Sequence, residues 1–173
     1  MKLVDCSRER HSAAILAIFN EAIANSTAIY EYELLKPDYM ERWFDAKAKG
    51  NYPVIGFETE AGELAGFASY GKFRDRPAYK YTIEHSVYVD NRFRGQKLGR
   101  QLLELITEAA VKQNYHVMMG GVDASNTVSI KLHESLGFTR CATIAQAGFK
   151  FGRWLDLAFY QKILATPASP VDG

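Results

Sequence analysis

The sequence predicts an α+β fold, a central, mostly antiparallel mixed sheet flanked by helices, and three observations carry that expectation. Apolar residues recur at helical spacing over 11–25 and again over 96–113. Short β-branched and aromatic runs are interleaved with these helices rather than grouped apart from them. In the middle of the chain two such runs, 54–59 and 64–70, are joined by Glu60-Ala61-Gly62-Glu63, which reads as a hairpin and hence as antiparallel pairing.

A first strand is expected over 2–5. The helix over 11–25 presents Ile15, Ile18, Phe19, Ala22 and Ile23 as one stripe, and the short aromatic segment Ile29-Tyr30-Glu31-Tyr32 follows it. Pro37 lacks a backbone N–H, which the first turn of a helix leaves unused anyway. It therefore suits the start of a second helix that passes through Trp43 and Phe44 and stops near Gly50. After the hairpin comes a basic loop over 72–80, broken by Pro77, and then a strand over 81–89 carrying Ile83, Val87 and Val89. The helix over 96–113 turns Leu98, Leu102, Leu105, Ile106 and Ala109 inward. A strand over 116–122 leads into Asp123-Ala124-Ser125-Asn126, which supplies cap residues for a helix ending at Gly137. Strands over 138–149 and 154–163 close the sheet. One domain is expected over 1–165, followed by a mobile tail over 166–173 with two prolines and no apolar stripe.

Composition narrows the function classes. With 173 residues, 47% of them hydrophobic and 24% charged, the chain is a globular domain long enough to bury a substantial core. A formal net charge of +1 argues against a nucleic-acid partner held by bulk charge, and no nucleic-acid module is recognisable. Cys6 and Cys141 are too few for a disulfide framework or a cysteine-based zinc site and read as reduced thiols. His11, His85, His116 and His133 show no ligand spacing, so no metal is expected. No apolar run approaches the roughly 20 residues that cross a bilayer. The N-terminal segment lacks the apolar centre of a secretory signal, so the expected location is the cytoplasm, with no membrane partner.

The stretch 81–99, YTIEHSVYVDNRFRGQKLG, is the most informative. It is a strand running into a basic, glycine-containing turn, with a long amphipathic helix directly after it. Such a turn aims free backbone N–H groups and the positive end of the helix dipole at one spot, which holds a phosphate or pyrophosphate. Glu84 lies upstream on the same strand. A carboxylate feeding a phosphate cradle points to acid–base chemistry on a phosphate-bearing cofactor.

Arg94-Gly95-Gln96-Lys97-Leu98-Gly99 after a Ser-Val-Tyr-Val strand, with Asn126 ahead of Lys131-Leu132-His133-Glu134-Ser135-Leu136-Gly137-Phe138, resembles the GNAT superfamily of acetyl-CoA-dependent N-acetyltransferases. Thr82-Ile83-Glu84-His85-Ser86-Val87-Tyr88-Val89 and Lys150-Phe151-Gly152-Arg153-Trp154-Leu155-Asp156 resemble a narrower group, the phosphinothricin and methionine sulfoximine acetyltransferases. The resemblance covers nearly the whole chain. It implies acetyl-CoA wedged between splayed central strands, with no metal. The backbone of Val87, Tyr88 and Val89 would pair with the pantetheine arm as an added strand. Amides of Arg94, Gly95, Gln96, Lys97, Leu98, Gly99 and Arg100 would hold the pyrophosphate, and Asn126 would touch the pantetheine. One departure stands out: Lys97 occupies the central glycine of the superfamily turn, adding a Cβ and a cation where glycine lets the backbone approach closely.

Acetyl transfer to nitrogen needs a neutral amine, and Glu84 is the expected general base, its pKa raised by enclosure among Tyr81, Ile83 and Tyr88. His85 alternates to the opposite face of the strand. Many superfamily members carry a tyrosine seven residues beyond the asparagine; here His133 stands there, either as a proton donor to the departing thiolate or packed against Phe138. Some relatives in the narrower group place a histidine where this chain has Phe151, so a mechanism requiring that histidine is excluded. For the substrate, the Phe73-Arg74 pair matches the group, and Arg74 is shaped for a bidentate grip on a carboxylate. Lys80 in the same loop, Tyr30 and Ser86 complete the expected substrate set, with Phe149 and Trp154 as further aromatic walls. The expected substrate is a small amino-acid analogue with a free amine, and the expected assembly is a homodimer. Two alternatives stay open: acetylation of a protein or peptide amine, and a non-catalytic acyl-CoA sensor.

Overall fold

A computed structural model describes residues 1–172, and among the described residues seven strands are interleaved with four helices. In chain order they are β1 (Lys2–Asp5), α1 (Arg8–Asn25), α2 (Pro37–Lys49), β2 (Val54–Glu58), β3 (Leu64–Lys72), β4 (Thr82–Val89), α3 (Leu98–Lys112), β5 (Val117–Asp123), α4 (Thr127–Ser135), β6 (Thr139–Lys150) and β7 (Arg153–Ile163). Short 3-10 turns occupy Pro77–Tyr79 and Asn91–Phe93. The hydrogen-bonded strand order is β1-β2-β3-β4-β5-β7-β6. The pairs β1/β2, β2/β3, β5/β7 and β7/β6 run antiparallel, while β4/β5 is parallel, giving the mixed, mostly antiparallel sheet that the sequence predicts.

Capping chemistry sets the boundaries. Helix α1 starts three residues earlier than its apolar stripe suggests, because Ser7 serves as N-cap and the His11 Nδ1 accepts the Ser7 backbone N–H at 2.9 Å. The other ring nitrogen of His11 lies 2.9 Å from a Glu58 carboxylate oxygen, which fastens α1 to β2. Helix α3 starts at Leu98 rather than 96 because Lys97 sits at φ 62, a left-handed conformation that no right-handed helix contains. Pro37 opens α2 as expected.

Where one domain is expected over 1–165, contacts group the chain into two compact units: Met1–Gly71 with Ser86–Ile106, and Lys72–His85 with the chain from Thr107 onward. Strand β4 and helix α3 each have residues in both. The first unit is built around Phe19. Its ring meets those of Phe67 and Tyr88 edge-on at 5.3 Å each and that of Trp43 at 5.8 Å, with Ile15, Ile18, Met40 and Phe44 filling the same core. In the second unit β5 and β7 pair from Val117↔Ile163 to Asp123↔Leu157, burying Met118, Val122, Leu155, Ala158 and Tyr160. Of the tail expected to be mobile over 166–173, residue 173 lies outside the described residues, and the described part carries hydrogen bonds of its own. Thr166 donates its hydroxyl to the Tyr115 carbonyl at 2.6 Å, and the Val171 N–H donates to the Tyr81 hydroxyl oxygen at 3.1 Å.

In the first unit, Gly66 of β3 lies close against β4. A Cβ there would stand 2.8 Å from the Tyr88 carbonyl oxygen and 3.2 Å from the Val89 Cα. Gly66→Ala should therefore destabilise the fold by about 1–3 kcal/mol, the usual cost of overpacking. Urea unfolding measures it, and an unchanged midpoint would mean that the two strands part freely.

Candidate active site

The turn between β4 and α3 is held from several sides. Asp90 caps the 3-10 turn, its Oδ1 accepting the Arg92 N–H at 2.9 Å, while the Arg92 guanidinium reaches Glu63 at 2.9 Å. Arg94 donates to Glu21 of α1 at 2.6 Å and to the Val89 carbonyl at 3.3 Å, so its guanidinium fixes the turn in place. Gly95 at φ 81 and Lys97 at φ 62 are both left-handed and bracket Gln96. Buried Leu98 and Leu102 then anchor the first turn of α3. Gln101 donates its N–H back to Lys97 at 3.2 Å, and the N–H groups of Leu98 and Gly99 open the helix ahead of that bond, at the positive end of its dipole. This geometry fits a pyrophosphate. The lysine has therefore kept the glycine backbone conformation, with its own side chain in solvent.

Strand β4 presents alternate residues to opposite faces. Glu84 is half-buried, and one carboxylate oxygen lies over β5, where a Cβ on Gly121 would stand 3.3 Å away. Burial raises its pKa and the Arg74 cation acts in the opposite sense; among the described residues Glu84 makes no ion pair. The Arg74 guanidinium stacks on Phe73 at 5.1 Å, and the Lys80 ammonium lies 5.1 Å from the Tyr81 ring. The parallel ladder ends at this carboxylate: β4 pairs with β5 over Thr82–Glu84 and Val117–Met119 only.

On the other face, His85 stacks on His133 with ring centroids 5.0 Å apart and their Nε2 atoms 3.0 Å apart. Their partners assign the tautomers. The His133 Nδ1 is 2.7 Å from the Ser129 carbonyl, which can only accept, so it carries the hydrogen. The His133 Nε2 is then an acceptor and the His85 Nε2 its donor. That leaves the His85 Nδ1 as a bare acceptor, buried without a partner. Burial, followed by the neighbouring His133, lowers the His85 pKa to about 3, and burial lowers that of His133 too. Both alternatives for His133 can thus be weighed: its ring packs on Phe138 at 5.2 Å, its Nδ1 hydrogen is committed to Ser129, and its surroundings disfavour the charged form. The pair fits only because residue 120 is glycine; a Cβ there would stand 2.5 Å from the His85 Nε2.

Asn126 is the N-cap of α4, its side-chain oxygen accepting the Ser129 N–H at 3.0 Å, which leaves the amide nitrogen outside the cap. Buried Asp123 stiffens the preceding turn by accepting the Ser125 N–H and hydroxyl at 2.8 Å each. Arg153 reaches the other oxygen of Asp123 at 3.3 Å. Of the remaining expected residues, Ser86 shares a strand face with Glu84. Val87, Tyr88 and Val89 are half-buried beyond the β4/β5 ladder. Tyr30 is exposed on the loop that Asn20 brackets through two hydrogen bonds with Leu35, at 2.8 and 3.0 Å. Phe149 and Trp154 pack on each other at 5.0 Å with both rings largely in solvent. The structure thus gathers Tyr30, Ser86 and the turn over 94–100 in the first unit, and Arg74, Lys80, Glu84, Asn126 and His133 in the second. Sequence reasoning missed Glu21 as the anchor of Arg94 and His85 as the partner of His133; those pairs are 73 and 48 residues apart, and no local pattern marks them. Among the described residues no group of His, Cys, Asp or Glu could hold a metal, and no helix is long and apolar enough to cross a membrane.

The chain matches the Acetyltransferase (GNAT) family over residues 16–138. It is 45% identical to an L-methionine sulfoximine/L-methionine sulfone acetyltransferase of Pseudomonas paraeruginosa, over 85% of this chain and 86% of that one. A solved structure from Acinetobacter baylyi superposes with a TM-score of 0.98 at 50% identity, covering 99% of this chain and 96% of that one. The structure of a Sinorhizobium meliloti phosphinothricin acetyltransferase in complex with acetyl-CoA superposes with a TM-score of 0.92 at 30% identity, covering 98% and 91%.

Two measurements test this geometry. Lys97→Gly removes the left-handed side-chain penalty, on the order of 1–2 kcal/mol, but adds glycine's unfolded-state entropy of roughly 0.5–1 kcal/mol. Its thermal stability should match or slightly exceed the parent's, and a clear loss would show that the lysine side chain holds the turn. For His85, a folded pKa of about 3 against an ordinary 6.5 means that its contribution to stability is complete above pH 6.5 and is lost as pH falls toward 3. Urea midpoints should fall over that window, and less steeply in His85→Phe; equal slopes in the two proteins would contradict the neutral pair.

Proposed function

The chain belongs to the GNAT acetyltransferase family and is an acetyl-CoA-dependent N-acetyltransferase, and on that footing we propose that it acetylates the amino group of a small amino-acid analogue of the methionine sulfoximine, methionine sulfone or phosphinothricin kind, with Glu84 as general base. The observation that carries the mechanism is the half-buried carboxylate of Glu84, raised in pKa and unpaired, at the last β4/β5 pair of a strand that continues into the cofactor turn. Acetyl-CoA supplies an acyl thioester when bound. An aliphatic ammonium must shed a proton before its nitrogen attacks an acyl group, and Glu84 takes that proton directly or through water. Desolvation makes the ionised carboxylate a stronger base, while Arg74 favours the ionised form.

Binding follows from the same elements. The backbone of Val87, Tyr88 and Val89, beyond the ladder, offers the pantetheine an edge, and the amides from Gly95 to Arg100 hold the pyrophosphate. Asn126 meets the pantetheine through the amide nitrogen that its cap leaves over. Arg74, whose guanidinium lies 5.1 Å from the centre of the Phe73 ring, grips the substrate carboxylate, with Lys80, Ser86 and Tyr30 around the amino acid. The protein works as a cytoplasmic homodimer without nucleic-acid or membrane partners. Support for the dimer is the edge strand β6, exposed over most of its length and carrying Ile144 in solvent, together with exposed Trp154 and Ile163 on the adjoining β7.

Thiol release from acetyl-CoA should be greatest with methionine sulfoximine, methionine sulfone or phosphinothricin in a panel that also holds ordinary amino acids, polyamines and peptides. Activity confined to peptides would overturn the substrate class, and none with any amine despite tight cofactor binding would favour a sensor. Glu84→Gln should lower kcat by about 10²–10⁴ while acetyl-CoA still binds. Because the reactive form is the carboxylate, the parent's rate should rise with pH through the raised Glu84 pKa, and that limb should vanish in the variant.

A further inference from the structure

Strand β5 carries two consecutive glycines, and alternation turns them to opposite faces of the sheet. The room over Gly120 is taken by the protein itself, in the form of His85 and His133. The room over Gly121 is left open. A Cβ on residue 121 would have as its nearest neighbours the Glu84 Oε1 at 3.3 Å, the Leu157 Cδ1 at 3.4 Å and the Phe159 Cε1 at 3.8 Å, and the glycine is exposed. Its φ lies outside the left-handed region, so the backbone does not call for glycine there. Internal packing does not call for it either. Two of the three neighbours stand at ordinary contact distance, and the third is the end of the Glu84 side chain, which can turn aside.

Glycine inside a strand gives up packing and costs entropy, and it marks a place where something else comes close to the backbone. The surroundings of Gly121 say what that is. Phe159 is its pairing partner on β7, Leu157 lies two residues along the same strand, and both are half-buried on the face that carries Glu84. The Phe159 ring meets that of Phe73 edge-on at 6.4 Å, and Phe73 carries the Arg74 guanidinium at 5.1 Å. All of these residues belong to the second unit. From the carboxylate, one face thus runs over bare backbone to an apolar wall, and the wall leads to a cation.

We infer that Gly121, Leu157 and Phe159 form the side-chain subsite for the acceptor amine, and that this subsite selects α-amino acids whose side chain begins with unbranched apolar carbons. The inference rests on Glu84 as the base and deepens the proposed substrate class. An amine within about 2.6–3.2 Å of the Glu84 carboxylate, the reach of a hydrogen bond, stands beside the position a residue-121 Cβ would take. With the substrate carboxylate drawn to Arg74, the first carbons of its side chain pass over Gly121 and lie against Leu157 and Phe159. A methyl on residue 121 competes for that space, and a branch at the substrate's own Cβ crowds it in the same way. Methionine sulfoximine, methionine sulfone and phosphinothricin all begin with two unbranched methylenes.

The test is calorimetric titration of methionine sulfone into the whole protein saturated with coenzyme A, which fills the cofactor site without turnover. Gly121→Ala should raise the amine Kd at least about tenfold, the effect of one misplaced methyl in a fitted pocket, while the Kd of acetyl-CoA stays as in the parent. Its thermal midpoint should hold or rise, because alanine leaves the unfolded chain less freedom than glycine. In the parent, norvaline should displace methionine sulfone at least about tenfold better than its β-branched isomer valine. Norvaline no better than valine would overturn the inference. So would a Gly121→Ala protein that binds the amine as the parent does, including one whose kcat alone has fallen, since the glycine would then serve only the base. An amine panel that succeeds beside such a variant overturns this inference and leaves the substrate class standing. If the panel instead puts a peptide first, the same titration is made with that peptide: an unchanged Kd in Gly121→Ala overturns the subsite, and a raised one overturns only the amino-acid reading.

Discussion

The parallel ladder between β4 and β5 covers only Thr82–Glu84 and Val117–Met119, although β4 continues to Val89 and β5 to Asp123, and the rest of the site depends on this early end. Backbone donors and acceptors are obligatory hydrogen-bonding groups and need partners from water, side chains or ligand. β4 keeps β3 as its neighbour on the other side, so what stops at Glu84 is the pairing with β5. Glu84 belongs to the last β4/β5 pair, so the carboxylate stands where the two strands part. The same alternation that turns Glu84 one way turns His85 the other, into contact with His133.

The supports around that strand are of two kinds. Ion pairs and caps position the turn after it: Asp90 on Arg92, and Glu21 on Arg94. Such exposed pairs contribute little to global stability, but they fix the direction in which the amides of the next turn point. Close packing positions the strand itself, with Gly66 against Tyr88 and Val89 in the first unit and Gly120 beneath the histidine pair in the second. Glycine at those two positions is an absence of side chain used for steric room.

Local pattern carried the fold a long way. The stripes of α1 and α3, the hairpin of β2 and β3, Pro37 at the start of α2 and Asn126 ahead of α4 are each encoded within a few residues, and each is where the pattern predicts it. The boundaries that moved did so for local reasons read at the wrong residue, as with Ser7 capping α1 and left-handed Lys97 delaying α3. The tail was less legible, because Thr166 and Val171 find their partners at Tyr115 and Tyr81, far off in sequence.

What the sequence determined by itself is the chemistry available: a carboxylate on a strand, a basic glycine turn at a helix start, an asparagine cap, and the resemblance that binds them to acetyl-CoA. What only the tertiary structure decided is the state of each group. Burial set the direction of the Glu84 and His85 shifts, contacts fixed which nitrogens of the histidine pair carry hydrogen, and the backbone put Lys97 in the left-handed region that favours glycine. The physical reason is common to all of these. Desolvation, hydrogen-bond partners and φ depend on what folds around a residue, and residue type and spacing carry no record of that.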